Sequence, residues 1–114
     1  ALAYPLGGHF HISHGLSNAL MLGPVMRFNR PVAECAYAEL GAVLGMGGEA
    51  EDFILGLDAL MSQSGAPRRL RDAGVTAEML PVLAADAMKQ TRLLQNNPVE
   101  VTEADALRLY EEAF

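Results

Sequence analysis

One cysteine, Cys35, is all the sequence offers for disulfide chemistry. With no partner in the chain it excludes an internal disulfide, and a reducing cytoplasm is the natural setting. Its alanine-rich helical surroundings predict a small core residue rather than a nucleophile. Charge is also scarce: Asp, Glu, Lys and Arg make up 19% of the 114 residues, against 51% apolar. The eight Lys and Arg form no dense run and the formal net charge is −6, so the electrostatic footprint of a nucleic-acid binder is lacking. No apolar run approaches the roughly 20 residues of a membrane span. No signal peptide, glycine-rich phosphate loop or parallel-sheet pattern is visible. The sequence opens at Ala1, without Met and directly in a motif, so further residues are expected upstream.

What is present is helical periodicity over a length that fits one domain. The chain is too apolar for disorder, and apolar enough that part of it is expected to pack on something outside these residues. Residues 1–12 read as irregular, broken by Pro5 and Gly7-Gly8. Ser13 can cap a helix from His14 toward Phe28, apolar nearly all round and kinked by Pro24. Pro31 suits the first position of another helix, with Ala36, Leu40, Val43 and Leu44 on one face. Gly45, Gly47 and Gly48 end that pattern. A helix from Glu49 to Ser64 aligns Phe53, Ile54, Leu57, Leu60 and Met61, with acidic residues at its start and Gly65 as its stop.

A connection over 66–75 carries Arg68, Arg69 and Arg71. Thr76 can cap a helix with Leu80, Leu83, Ala84, Ala87 and Met88 on one face, its first turn split off by Pro81. Residues 91–101 read as a loop. Thr102 and Asp105 match a capping box ahead of a last helix that aligns Leu107, Tyr110 and Phe114. The expected fold is all-α, a compact bundle of about five helices.

All three histidines, His9, His11 and His14, fall within six residues. Imidazole is a common transition-metal ligand. The spacing, however, matches no two-histidine helix motif, and a catalytic zinc needs about three protein ligands. Spacing alone leaves open a metal site or one capping histidine with two solvated ones.

The run Tyr4-Pro5-Leu6-Gly7-Gly8-His9-Phe10-His11-Ile12-Ser13-His14-Gly15-Leu16-Ser17-Asn18-Ala19 resembles the signature of the iron-containing, or group III, alcohol dehydrogenases. In that family Pro-Leu-Gly leads through a short loop into His-Gly-x-x-Asn-Ala and an apolar helix. Further matches lie at Leu70-Arg71-Asp72-Ala73-Gly74-Val75 and from Asn97-Pro98 through Thr102-Glu103-Ala104-Asp105 to Leu109-Tyr110. Together they cover nearly the whole chain. The glycerol dehydrogenases and dehydroquinate synthases share the same two-domain plan, but His-Gly-Leu-Ser-Asn-Ala and its lead-in favour the alcohol dehydrogenase branch.

The resemblance implies that residues 1–114 are part of a C-terminal helical metal-binding domain. An N-terminal nucleotide-binding domain for NAD or NADP would precede it. A divalent metal, Fe2+ or sometimes Zn2+, would sit between the two, held by one aspartate and three histidines. Of these ligands the chain would carry only the last, His14, with the preceding ligand position falling just before Ala1. His9 and His11 fall on no ligand position. Tyr4 stands where many relatives have a histidine proposed for proton transfer; a tyrosine hydroxyl can hold a proton, though its ordinary pKa of about 10 makes it a poorer base at neutral pH.

Phe10 and Leu93, the latter beside Leu94, are candidates for the substrate pocket, with core packing as the alternative. Asn18 is expected to be structural, bonding the entry loop or neighbouring backbone. The reaction implied is hydride transfer between NAD(P) and a small alcohol or aldehyde, with these residues alone inactive and binding no metal. A membrane or nucleic-acid partner is not expected; a homo-oligomer is compatible. The rival is a self-contained helical metal-binding or interaction module. It requires His9, His11 and His14 to converge, whereas the fragment reading requires His14 exposed near the chain start beside orphaned apolar surface.

Overall fold

The computed structural model describes all residues, 1–114, and contains helices and no strand. Six α-helices follow in order: α1 (Ala3–Phe10), α2 (His14–Val43), α3 (Ala50–Gln63), α4 (Leu80–Ala87), α5 (Thr91–Leu94) and α6 (Glu103–Ala113). Single 3-10 turns occupy Arg71–Ala73 and Ala77–Met79. The all-α expectation holds, but several boundaries move.

The segment expected to be irregular forms α1. Pro5 sits in its first turn, where an amide N–H has no helical acceptor to lose. Leu2, Ala3 and Leu6 are buried, and this packing outweighs the low helix preference of Gly7 and Gly8. The two helices expected on either side of Pro31 are one, α2, with Pro24 and Pro31 both inside. Each proline deprives one carbonyl, that of Leu20 or Arg27, of its donor. Gly23 has no Cβ to clash with the Pro24 ring. It also leaves room for Arg27 and Asp58, which lie 3.1 and 3.2 Å from where its Cβ would stand. Leu20 and Met21 before Pro24, and Met26 and Asn29 after it, are all buried, so packing on both sides holds the helix through the break.

The largest core gathers residues from α1, α2, α4, α6 and the 70–75 connection: Leu6, Leu20, Leu70, Leu83 and Tyr110 are among its members. A second, small core of Met26, Phe53 and Ile54 joins α2 to α3. There Gly41 lets the helices approach closely; a Cβ on it would lie 3.2 Å from the Phe53 Cβ. Arg27 ties the parts together, its Nε donating to Glu112 on α6 at 2.6 Å and its Nη1 to Asp58 on α3 at 3.3 Å.

Ser13 caps α2 as expected, accepting from the Leu16 N–H at 3.4 Å. Thr102 and Asp105 form the expected capping box of α6. Thr76 makes no cap bond with its side chain, contrary to expectation. The 91–101 loop contains the one-turn α5. In α6 the buried face is Ala106, Leu109, Tyr110 and Ala113, leaving Leu107 and Phe114 half-buried. Cys35 is exposed rather than core, as are Ala36, Leu40, Val43 and Leu44, because α3 covers the opposite side of α2.

Two surface carboxylates contribute to the pH dependence of stability. Asp86 is held below the ordinary carboxylate value of 3.8 by hydrogen bonds from Lys89 and then His9. Asp105 is held below it by the Thr102 backbone N–H and hydroxyl, with Arg108 adding to the effect. A depressed folded-state pKa contributes stability that is fully present above the unfolded value and drains as pH falls through the folded one. The stability difference between wild type and Asp86→Asn or Asp105→Asn should therefore be constant near neutral pH and shrink below about pH 4. Thermal unfolding of the three proteins across that range measures it; a difference that persists undiminished to about pH 2 would contradict the assignment.

Candidate functional site

The histidine cluster of the sequence is pulled apart by the α1–α2 turn. His11 ends α1 in the left-handed region, at φ 54° and ψ 25°, its N–H donating to the Gly7 carbonyl. It is the one non-glycine residue with positive φ. Ile12 then turns inward and is buried, and the hydroxyl of Ser17, also fully buried, donates to the Ile12 carbonyl at 3.4 Å. This reversal places His9 and His14 on different neighbours. His9 reaches α4, where its Nε2 pairs with Asp86 at 2.5 Å. That contact fixes α1 against α4 and occupies the imidazole.

His14, the first residue of α2, is exposed. Two residues from the sequence motif meet it. The Tyr4 ring stands edge-on, with centroids 5.9 Å apart and planes at 69°. One helical turn further on, the Asn18 side-chain amide lies 3.0 Å from the His14 Nε2, donor and acceptor being set by the imidazole tautomer and the orientation of the amide. Asn18 thus bonds the side chain of His14, directly after the entry loop. With the Nε2–H donating to the amide oxygen, the ring is oriented and Nδ1 keeps its lone pair free.

No group of three or more His, Cys, Asp or Glu side chains is arranged to hold a metal ion. The arrangement fits a metal in one limited sense. His14 offers one oriented imidazole donor on an open surface, and the other ligands would have to come from outside these residues. The self-contained module required three converging histidines, and His9, His11 and His14 do not converge.

Beside Asn18 opens an apolar cavity of about 410 Å³. Leu2 and Ala3 at the start of α1, Met21, Leu22 and Val25 of α2, and Leu93 and Leu94 of α5 form most of its wall, with Asn96, Asn97 and Val101 at the loop side. Leu93 therefore faces the cavity as the sequence reading proposed. Phe10 is not part of this wall; it is half-buried against the main core. A more polar depression of about 360 Å³ lies between α2, α3 and the 64–72 connection, away from Tyr4, His14 and Leu93. Three of the charged groups around it, Arg27, Asp58 and Glu112, are already joined in ion pairs.

The loop wall of the apolar cavity is anchored by residues that periodicity could not flag. Asn29, buried on α2, and Asn97 exchange two side-chain hydrogen bonds of 2.7 Å each, and Asn97 also donates to the Val99 carbonyl at 2.7 Å. The only sequence signal was a polar residue inside an apolar helix. Asn29→Ala removes both bonds to Asn97, leaves the Asn97 Oδ1 without its donor and should cost about 1–3 kcal/mol. The Asn29→Ala/Asn97→Ala double variant should cost little more than either single change, because they share one interaction. Denaturant unfolding of the three variants measures the coupling, and strict additivity would show the pair to be energetically idle.

An all-helical fold with one oriented imidazole and no converging metal ligands is not a closed metal-binding module. The Fe-containing alcohol dehydrogenase family, C-terminal, matches residues 1–114. The chain belongs to that family. It is 38% identical over its full length to a long-chain-alcohol dehydrogenase of Geobacillus thermodenitrificans, of which it covers 31%. It is 32% identical over 99% of its length to the lactaldehyde reductase of Escherichia coli K12, again covering 31%. Among solved structures, a 1,3-propanediol oxidoreductase superimposes with a TM-score of 0.91 at 29% identity, over 99% of this chain and 31% of that one. The chain thus spans about a third of the length of these relatives, as their C-terminal part. No helix is long and apolar enough to cross a membrane.

Proposed function

We propose that residues 1–114 form the metal-binding C-terminal helical part of an NAD(P)-dependent dehydrogenase that interconverts alcohols with aldehydes or ketones. The observation that carries this is the meeting of Tyr4, Asn18 and His14 at the start of α2, next to an apolar cavity walled by Leu93. Family membership supplies the reaction class.

His14 contributes a neutral imidazole to a divalent metal, Fe2+ or Zn2+, whose other ligands come from elsewhere in the protein. When bound, such a metal supplies Lewis acidity at the substrate oxygen. Asn18 holds the His14 ring, so that little orientational freedom is lost when it ligates. The Tyr4 hydroxyl lies on the same exposed side and can hold a proton near the reacting oxygen. The cavity takes the carbon chain of the substrate; Leu93, Leu94, Met21 and Val25 favour an apolar chain over a polyol. An N-terminal nucleotide-binding domain is the partner that brings NAD(P), and the cofactor carries the hydride. The single, exposed Cys35 thiol fits a reducing cytoplasm.

The test is NAD(P)-linked oxidation of primary alcohols by the full-length protein, before and after chelation. Activity that falls on metal removal and returns with Fe2+ or Zn2+ supports the reading. Full activity in metal-free protein overturns it. The 114 residues alone should bind neither ion tightly, since one imidazole cannot fix coordination number; a tight one-to-one calorimetric titration would show the ligand assignment to be wrong.

A further inference from the structure

The apolar cavity beside Asn18 runs along one face of α2. Asn18, Leu22, Val25 and Phe28 all line it, and their three- and four-residue spacing stacks them on one side of the helix. At the helical rise per residue, Phe28 lies about 15 Å beyond Asn18 along the axis. The Asn18 end adjoins the imidazole of His14, 3.0 Å away. The Phe28 end is a partition. Phe28 and Leu109 also line a second depression, of about 330 Å³, whose other lining residues are Arg27, Asp105, Arg108 and Glu112. The cavity is therefore polar next to His14 and apolar along α2, and just past Phe28 the surroundings turn charged.

We propose that Phe28 sets the longest alkyl chain the enzyme accepts, by closing the far end of this cavity. The inference rests on the reading of His14 as the metal end of a dehydrogenase site. A cavity of about 410 Å³ is the size of a small-molecule site. Met21, Val25, Leu93 and Leu94 offer a passing chain only methyl and methylene groups. A polyol would leave its hydroxyls unpaired along them, whereas an alkyl chain gains by burial. An extended chain advances about 1.25 Å per carbon, from bonds of about 1.5 Å at about 111°, so the distance to Phe28 holds about twelve carbons. Beyond the ring, a longer chain would meet Arg108 and Asp105 and gain nothing further. The substrates are accordingly primary alcohols or aldehydes with an aliphatic chain up to that length.

The test is kcat/KM of the full-length, metal-loaded protein over straight-chain primary alcohols, from ethanol to about sixteen carbons, each below its solubility limit. Full burial of one methylene is worth about fourfold, and the cavity is open along Leu22, which is 39% exposed, so about twofold per carbon is expected. The rise should level off at about twelve carbons. Phe28→Leu should move that break outward by about two carbons, and Phe28→Trp should move it inward by about as much. Lost stability lowers kcat/KM for every alcohol by one factor and leaves the break in place, so opposite shifts in the two variants report length alone. A break that is the same in wild type, Phe28→Leu and Phe28→Trp overturns the proposal. So does turnover that is indifferent to chain length, which leaves the dehydrogenase reading standing. Absence of turnover with every alcohol overturns both.

Discussion

His14→Ala in the full-length protein is expected to lower metal-dependent turnover by about a thousandfold or more, because Lewis-acid stabilisation of a developing alkoxide is worth several kcal/mol and each 1.36 kcal/mol is tenfold. Metal content should fall with it. The geometry makes this loss specific. His14 is exposed, so alanine leaves no cavity, and its one side-chain bond is the one to Asn18. The melting temperature should therefore barely change. Asn18→Ala should act in the same direction but more weakly, by about 10–100-fold in metal affinity, as the loss of an orienting partner does. His9→Ala should leave metal content intact and cost stability instead, since its ring pairs with Asp86. If His9→Ala strips the metal while His14→Ala does not, the ligand assignment is wrong.

Tyr110→Ala is expected to remove about 3–5 kcal/mol, the range for emptying a buried aromatic site. Against a total of about 5–15 kcal/mol for a domain, that is enough to unfold much of it at physiological temperature. Tyr110 is fully buried, and its hydroxyl donates to the Leu2 carbonyl at 2.7 Å, pinning α6 to the start of α1. Tyr110→Phe keeps the ring but orphans that carbonyl, and should cost about 1–3 kcal/mol.

A pH signature separates the two roles of the residue. Burial, and then the charge of Asp86, raise the phenol above its ordinary value of 10. Because the ionised form is disfavoured only in the folded state, wild-type stability should fall as pH rises past about 10, where the unfolded chain begins to lose the proton. Tyr110→Phe abolishes that slope. Equal alkaline slopes in the two proteins would mean that the phenol is not buried as described.

Because Leu2 precedes Tyr4 by two residues, this anchor also bears on the site. Tyr4 meets His14 only while α1 is held down, by Tyr110 at one end and by the His9–Asp86 pair at the other. Neither contact was legible beforehand, since they span 108 and 77 residues of sequence.

The sequence by itself determined the class of fold, the run of helices, the Ser13 cap, the Thr102–Asp105 box and His14 as the residue to watch. These are local: a cap needs three residues, an amphipathic face needs four turns, and a motif is contiguous. The tertiary structure decided what depends on distant partners. Gly7-Gly8 read as a breaker, but Leu2 and Leu6 are buried in the main core; Pro31 read as a boundary, but Phe53 of α3 packs against Tyr37 and Gly41 beyond it and carries α2 through. Ala36, Leu40 and Val43 read as sharing one face and are exposed, because periodicity shows that a helix has an apolar side but not what, if anything, lies against it. The three histidines read as one cluster, and a single left-handed residue at His11 sent His9 to Asp86 and left His14 facing outward beside Tyr4 and Asn18. Spacing along a chain fixes which side chains share a helix face; only the packing of the helices fixes which of them meet.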